Sequence, residues 1–214
     1  MTARRPAYKL KPFPLPPALV APLQSGAAIL VVNWLTQGMR GMGRRELTFR
    51  LLLEALLAAG IAPMTGWPVA LFVAHSLSWT LNGQIWVCAR YCRLYRGDTD
   101  RLHHAVAELA IALRRTEWLQ EAALIGSAAA GRLGERSDID LRLVTPPGLV
   151  GWLRVNLLLL RLRTRALVWM LPLDAYAPDR PEDLLRSDPA DAVRLLVDRD
   201  GRLRRALAGR RLVE

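Results

Sequence analysis

The sequence predicts an α+β protein. A mixed β-sheet flanked by helices forms the C-terminal part, residues 98–214, and an apolar, membrane-associated helical part, residues 1–97, precedes it. Three observations carry this reading. Segments 122–125 and 138–144 are short apolar or alternating runs bounded by turn residues, the pattern of buried and half-buried strands. Segments 46–59, 98–120 and 149–163 are long enough for helices, with apolar residues recurring at helical spacing. Residues 12–39 and 68–89 contain no Asp, Glu, Lys or Arg.

The 214 residues are enough for one or two domains, with 52% hydrophobic residues and a net charge of +11. The mean hydropathy, +0.15, is high for a soluble enzyme of this size. Nearly all the basic residues are Arg. Such a balance favours acidic partners: nucleotide phosphates, nucleic acid or an anionic membrane surface. Cys88 and Cys92 lie four apart, as on one helix face, and no His or Cys cluster completes a zinc site with them. They read as reduced thiols in a reducing compartment.

In chain order, Arg4, Arg5, Lys9 and Lys11 lead into Pro12, Pro14, Pro16 and Pro17, a basic and extended start. The apolar run Ala27–Val32 follows; Pro22, Gln24 and Asn33 interrupt its surroundings, so it is expected to be retained and not cleaved as a signal peptide. Arg40, Arg44, Arg45 and Arg50 lead into the helix predicted at Glu46–Ala59. Gly60, Pro63, Gly66 and Pro68 break the chain. The second uncharged segment then runs to Arg90, Arg93 and Arg96. Each end of both segments carries positive charge, and positive flanks favour the cytoplasmic side. Two such segments suit re-entrant or interfacial elements on the inner face of the membrane, with Trp near the headgroups. The same residues would also serve a water-soluble helical domain or a dimerisation surface. His75, His103 and His104 read as structural or solvated.

Asp98 and Asp100 offer N-caps to the helix ending near Gln120, with Leu102, Val106, Leu109 and Leu113 on its buried face. A strand follows at Ala122–Ile125, then a Gly-containing turn and short helix at 128–136, then a strand at Asp138–Val144. Leu149–Arg163 reads as a Leu-rich helix ringed by Arg and as a plausible self-association face for a homo-oligomer. Ala166–Ala175 reads as a buried strand, Pro181–Leu185 as a short helix, and Ala192–Leu207 as a hairpin turning at Asp198–Gly201. The remaining tail is basic.

The chemistry-bearing stretch is Leu124-Ile125-Gly126-Ser127, followed after a Gly-containing interval by Ser137-Asp138-Ile139-Asp140-Leu141. Asp138 and Asp140 are two apart on a predicted strand, so they point to one face, and Arg142 joins them. Paired carboxylates repel unless a cation lies between them. Mg²⁺ prefers oxygen ligands and is often held by one or two carboxylates plus substrate phosphates. Gly126 permits close backbone approach, and Ser127 offers a hydroxyl and an N–H to a phosphate oxygen. The competing reading is a structural Gly-Ser turn before a surface strand with two solvated carboxylates. Asp174, at the end of an apolar segment, is costly to bury without a cation or donor; Asp179 and Asp183 are the other acids nearby.

This stretch resembles the signature of the polymerase-β-like nucleotidyltransferase superfamily, in particular its minimal members, over about residues 118–207. The resemblance implies a nucleotidyltransferase sheet and transfer of a nucleoside monophosphate from an NTP to an acceptor hydroxyl. It implies two Mg²⁺ ions, with Mn²⁺ as a substitute, held by Asp138, Asp140 and a third carboxylate on a neighbouring strand. Asp174 matches that third place in sequence order. The nucleotide would meet Gly126, Ser127 and Ser137, with Arg132 and Arg136 in the turn. The acceptor, whether protein, lipid-linked or small molecule, would be met at the cytoplasmic membrane surface. A non-catalytic nucleotide-binding or assembly module, and an antitoxin-like enzyme that modifies a partner protein, are the alternatives. Template-dependent polymerisation is disfavoured, because no duplex-clamping domain accompanies the motif.

Overall fold

A five-stranded mixed sheet stands at the centre, in the order β3-β2-β1-β4-β5. The structure, a computed structural model, describes residues 26–37, 42–91, 95–186 and 189–213. The basic start, Arg40, Cys92, Arg93 and Glu214 lie outside the described residues. In chain order the elements are α1 (Gly26–Thr36), α2 (Arg44–Thr65), α3 (Trp67–Leu81), α4 (Gln84–Tyr91), α5 (Thr99–Arg114), β1 (Glu121–Ile125) and α6 (Gly126–Ala129). Then come β2 (Ile139–Leu143), α7 (Gly148–Val168), β3 (Leu173–Tyr176), a 3₁₀ turn at Pro181–Arg186, β4 (Val193–Asp198), α8 (Arg202–Ala206) and β5 (Leu212–Val213).

β1 pairs antiparallel with β2 and β4, while β3 runs parallel to β2 and β5 parallel to β4. Strand alternation sorts β2 cleanly. Ile139, Leu141 and Leu143 are buried with Ala122, Leu124, Leu173 and Ala175 in the main core, which also takes in residues of α5 and α7. The opposite face carries Asp140 and Arg142 of β2 with Asp174 and Tyr176 of β3, in register across the parallel pair. A smaller core of Ala123, Val144, Leu184, Val193, Leu203 and Leu207 covers that face near β1 and β4.

Several elements differ from expectation. Helix α2 continues through Gly60 and Pro63 to Thr65, and Gly66, at φ 79°, ends it. The second apolar segment is two helices, α3 and α4, divided at Asn82-Gly83. Asp98 caps α5 as expected, accepting from the N–H groups of Asp100 and Arg101, but the helix ends at Arg114. Residues 166–168, expected to begin a strand, complete α7, and the strand is only Leu173–Tyr176. Residues 202–206, expected as the second arm of a hairpin, form α8, because the Asp198 carboxylate accepts from the N–H groups of Leu203 and Arg204. The basic tail contributes β5.

The apolar helices are tied to the sheet domain at the base of α2. The Asp179 carboxylate accepts from the N–H groups of Arg44 and Arg45 and so caps a helix 135 residues earlier in the chain. Arg45 donates to the carbonyls of Pro146 and Gly148, and Trp152 donates its indole N–H to the Arg45 carbonyl. Gly43 fits here because a Cβ would lie 2.6 Å from the Ala177 carbonyl oxygen.

Candidate functional site

The strand arithmetic that pairs Asp138 with Asp140 also delivers Asp174. Asp140 and Asp174 are direct partners across β2 and β3, and Asp138 stands one residue before β2 begins. The Asp140 and Asp174 carboxyls hydrogen-bond each other. Burial pushes the Asp140 carboxyl well above the usual carboxylate range; the charges of Asp138 and Asp174 push the same way, and Arg142 only partly opposes them. The protonated form of Asp140 is thereby favoured.

Arg142 occupies the same face as its spacing predicts. Its guanidinium stands 3.6 Å from Asp140 and 3.8 Å from Asp174. It also donates to the backbone carbonyls of Leu141 and Asp174 and lies 4.8 Å from the Tyr176 ring centroid. Burial alone would lower its pKa, but Asp174 and Asp140 more than offset that, so it is firmly cationic. Tyr176, its register partner, donates its hydroxyl to Asp174. Burial and the Asp174 charge raise the phenol well above its ordinary value. Gln84, at the start of α4, donates to the Tyr176 oxygen at 3.4 Å.

The turn after β1 lies beside the acids. Ile125 pairs with Asp140, and Gly126, at φ 72°, is in a conformation that glycine adopts freely. A Cβ on Gly126 would come within 3.5 Å of the Asp140 Oδ2. The Gly126 N–H is committed to the Ala192 carbonyl, so it does not serve as a phosphate donor. Ser127, next in the chain and half-buried, brings the hydroxyl of the turn. Ser137 is occupied structurally, since its Oγ accepts from the Gly134 N–H and closes the loop before Asp138. Arg132 and Arg136 are exposed on that loop. Asp179 serves as the α2 cap, and Asp183 accepts from the Arg180 N–H to shape the 3₁₀ turn. Neither joins the Asp140–Asp174 pair.

Behind Tyr176 lies a buried ionic cluster. Glu46, fully buried, accepts from Arg50 at 2.7 Å, from Arg163 at 2.6 Å and from the Ala177 N–H at 2.6 Å. Arg163 also donates to the Ala175 carbonyl and to Asn82. Both guanidiniums lie 5.8 Å from the Tyr176 ring centroid. Burial would raise the Glu46 pKa, yet Arg163 and Arg50 with the Ala177 N–H bring it below the usual range. Burial and the neighbouring Arg163 depress Arg50 to about 10. Sequence reasoning misses Tyr176 and this cluster. Tyr176 is within reach of the period-two rule that finds Arg142, being two residues past Asp174; Glu46 and Arg50 are visible as an i, i+4 pair, but their partner Arg163 is not.

Among the described residues no three His, Cys, Asp or Glu side chains stand in a metal-ligating arrangement. The Asp140–Asp174 pair, with Asp138 alongside, is the nearest approach to one. The chain matches no protein-family model, no curated protein and no solved structure.

Proposed function

We propose that this chain is a Mg²⁺-dependent nucleotidyltransferase of the polymerase-β-like kind, moving a nucleoside monophosphate from an NTP to an acceptor hydroxyl with release of pyrophosphate. The observation that carries the reading is the register of Asp140 with Asp174, next to Asp138 and beneath the Gly126-Ser127 turn. The donor set suits a hard divalent ion. It is all oxygen, and the crowding of acids that raises the Asp140 pKa is what a cation would relieve. Asp138, Asp140 and Asp174 would hold Mg²⁺, which when bound supplies charge neutralisation to the transferring phosphoryl group.

The chain's own groups account for the rest. The Ser127 hydroxyl and N–H donate to the terminal phosphates, and Gly126 leaves the space beside Asp140 open for them. Arg142, cationic and facing the acids, attracts the triphosphate to this end of the sheet. Arg132 and Arg136 meet its outer oxygens from the loop. Asp174 takes the proton of the acceptor hydroxyl, its carboxylate oriented by the Tyr176 O–H. Binding of an NTP analogue with and without Mg²⁺ tests the assignment: Asp138→Asn should lose the Mg²⁺-dependent part of the affinity, at least tenfold. Unchanged Mg²⁺-dependent binding by that variant refutes the site.

A second reading has one observation behind it. Arg142 already stands against two of the three acids, as in a structural ion pair. On this reading the domain binds nucleotide without turning it over, as a sensor or assembly module. Labelled NTPs separate the two: pyrophosphate release that depends on Asp174 supports the enzyme, and tight binding without release supports the module.

A further inference from the structure

The α2–α3 hairpin is built inside out for water. Between its tip and the Glu54–His75 pair the hairpin buries only small residues, Ala58 on α2 and Ala70 and Ala74, four residues apart, on α3, the last two with no exposed surface; Ser78 and Trp79 are buried nearer the base. Its large apolar side chains point outward, Leu56 at 71% exposure, Met64 at 87%, Trp67 at 60% and Phe72 at 61%. A hairpin stable in water buries its large residues. Helices in lipid pack through small ones, because lipid solvates the large ones as well as protein does.

Charge is partitioned along the hairpin. Arg44, Arg45, Glu46, Arg50 and Glu54 occupy the first half of α2, and no charged residue occurs between Glu54 and Arg90. Glu54 pairs with His75 on the returning helix at 2.8 Å, which marks where the polar base ends. Helix α2 has 22 residues and is long and apolar enough to cross a bilayer; only 11% of its most apolar window is buried. Its basal half, however, is docked on the sheet domain. The free arm from Ala55 to Thr65 rises about 16 Å at about 1.5 Å per residue, roughly half of a hydrocarbon core about 30 Å thick.

We infer that the hairpin beyond Glu54 and His75 is immersed in one leaflet of a lipid bilayer, its Trp67 tip near the midplane and its basic base at anionic headgroups. This inference is independent of the chemistry at Asp140. A second copy of the chain is the other occupant to consider. It would cover one face, whereas the neighbours Ala55 and Leu56 on α2 and Leu71 and Phe72 on α3, each about 100° apart around its helix, are all exposed. Charge complementarity also points to lipid. Arg44 at the base and Arg154 and Arg161 on α7, which packs against both α2 and α3, are exposed, and the chain carries a net +11.

The full-length protein, exchanged from detergent into vesicles, provides the test. It should float with vesicles of phosphatidylcholine containing phosphatidylglycerol and bind pure phosphatidylcholine more weakly. Bromines placed near the acyl-chain ends should quench Trp67, read as the difference between wild type and Trp67→Phe, more than bromines placed near the headgroup. Met64→Asp and Phe72→Asp alter exposed positions, so folding should survive, as circular dichroism would register, while vesicle association falls about 100-fold for each. Unchanged association of the double variant overturns the inference. So does quenching of Trp67 by a reagent trapped in the vesicle lumen, or a detergent-free dimer that does not float.

Discussion

Replacing Glu46 by Gln would test whether the buried ionic cluster joins the apolar helices to the sheet. Glu46 has no exposed surface and takes three short hydrogen bonds, two from guanidiniums that are themselves buried. Gln keeps the shape but removes the charge and turns an amide N–H₂ toward donors. Arg50 and Arg163 are then left as buried cations short of their counter-ion. Breaking a buried pair from one side costs about 3–5 kcal/mol. For a protein of this length, each kcal/mol moves Tm by about 2–4 °C, so a fall of about 10 °C is expected. Thermal unfolding followed by tryptophan fluorescence in one fixed detergent provides the measurement. Glu108→Gln is the control. Its pair with Arg165 is well exposed, and such pairs contribute about 0.5 kcal/mol or less. The pH dependence has a definite sign. The folded-state pKa of Glu46 is depressed, so its contribution is complete above the unfolded carboxylate pKa of about 4.3. It is lost as pH falls through the lower folded value. The gap between wild type and variant should therefore narrow only under acid conditions. A loss below about 1 kcal/mol at neutral pH would refute the reasoning, since two desolvated guanidiniums cannot lose their carboxylate so cheaply.

Asp140→Asn should raise stability while ending Mg²⁺ dependence. The Asp140 pKa is raised on folding, so its ionisation opposes folding above the unfolded value, and a neutral isostere removes that penalty, about 1 kcal/mol per unit of displacement. Metal-free Tm should rise by a few degrees and added Mg²⁺ should no longer shift it; a fall in metal-free Tm contradicts the argument. Asp179→Ala should cost about 1 kcal/mol through the lost cap on α2 and leave Mg²⁺-dependent nucleotide binding intact. Loss of that binding in a variant that remains folded would mean that the third carboxylate has been assigned to the wrong residue.

The site is more legible in the sequence than the helices around it, for a physical reason. A strand repeats every two residues, so Asp140 and Arg142 declare their common face from spacing alone and Asp174 needs only a neighbouring strand, whereas Asp138, expected to open the strand, stands just before β2. Residues 166–168 are ambiguous because a short apolar run serves a helix end and a buried strand equally well; Ala166 extends the buried side of α7 formed by Val155, Leu159 and Arg163. At Asp198–Gly201 the turn signal is genuine but its consequence is not the expected one. The Asp198 side chain captures the next N–H groups, and a helix follows where a hairpin arm was expected. In α2, Gly60 and Pro63 carry breaker propensities measured in water, yet the helix runs through both. Contacts between distant segments leave no local trace: Asp179 caps α2, and Arg163 reaches Glu46 across 117 residues.

The groups around Tyr176 explain why the Asp140 pKa rises. Four carboxyls (Glu46, Asp138, Asp140 and Asp174) share the region with three guanidiniums, those of Arg50, Arg142 and Arg163. Two of those cations and a backbone N–H hold Glu46 below the usual carboxylate range. Asp174 accepts from the Tyr176 hydroxyl and hydrogen-bonds Asp140. Asp140 is buried with acids on two sides, and Arg142 at 3.6 Å only partly opposes them, so its pKa rises well above the usual carboxylate range. Gly126 leaves room at this end of the sheet, and a cation arriving there would bring the Asp140 pKa down again. Removing Arg142, which lowers the Asp140 pKa, should therefore raise the proton affinity of Asp140 further even where the strands keep their register.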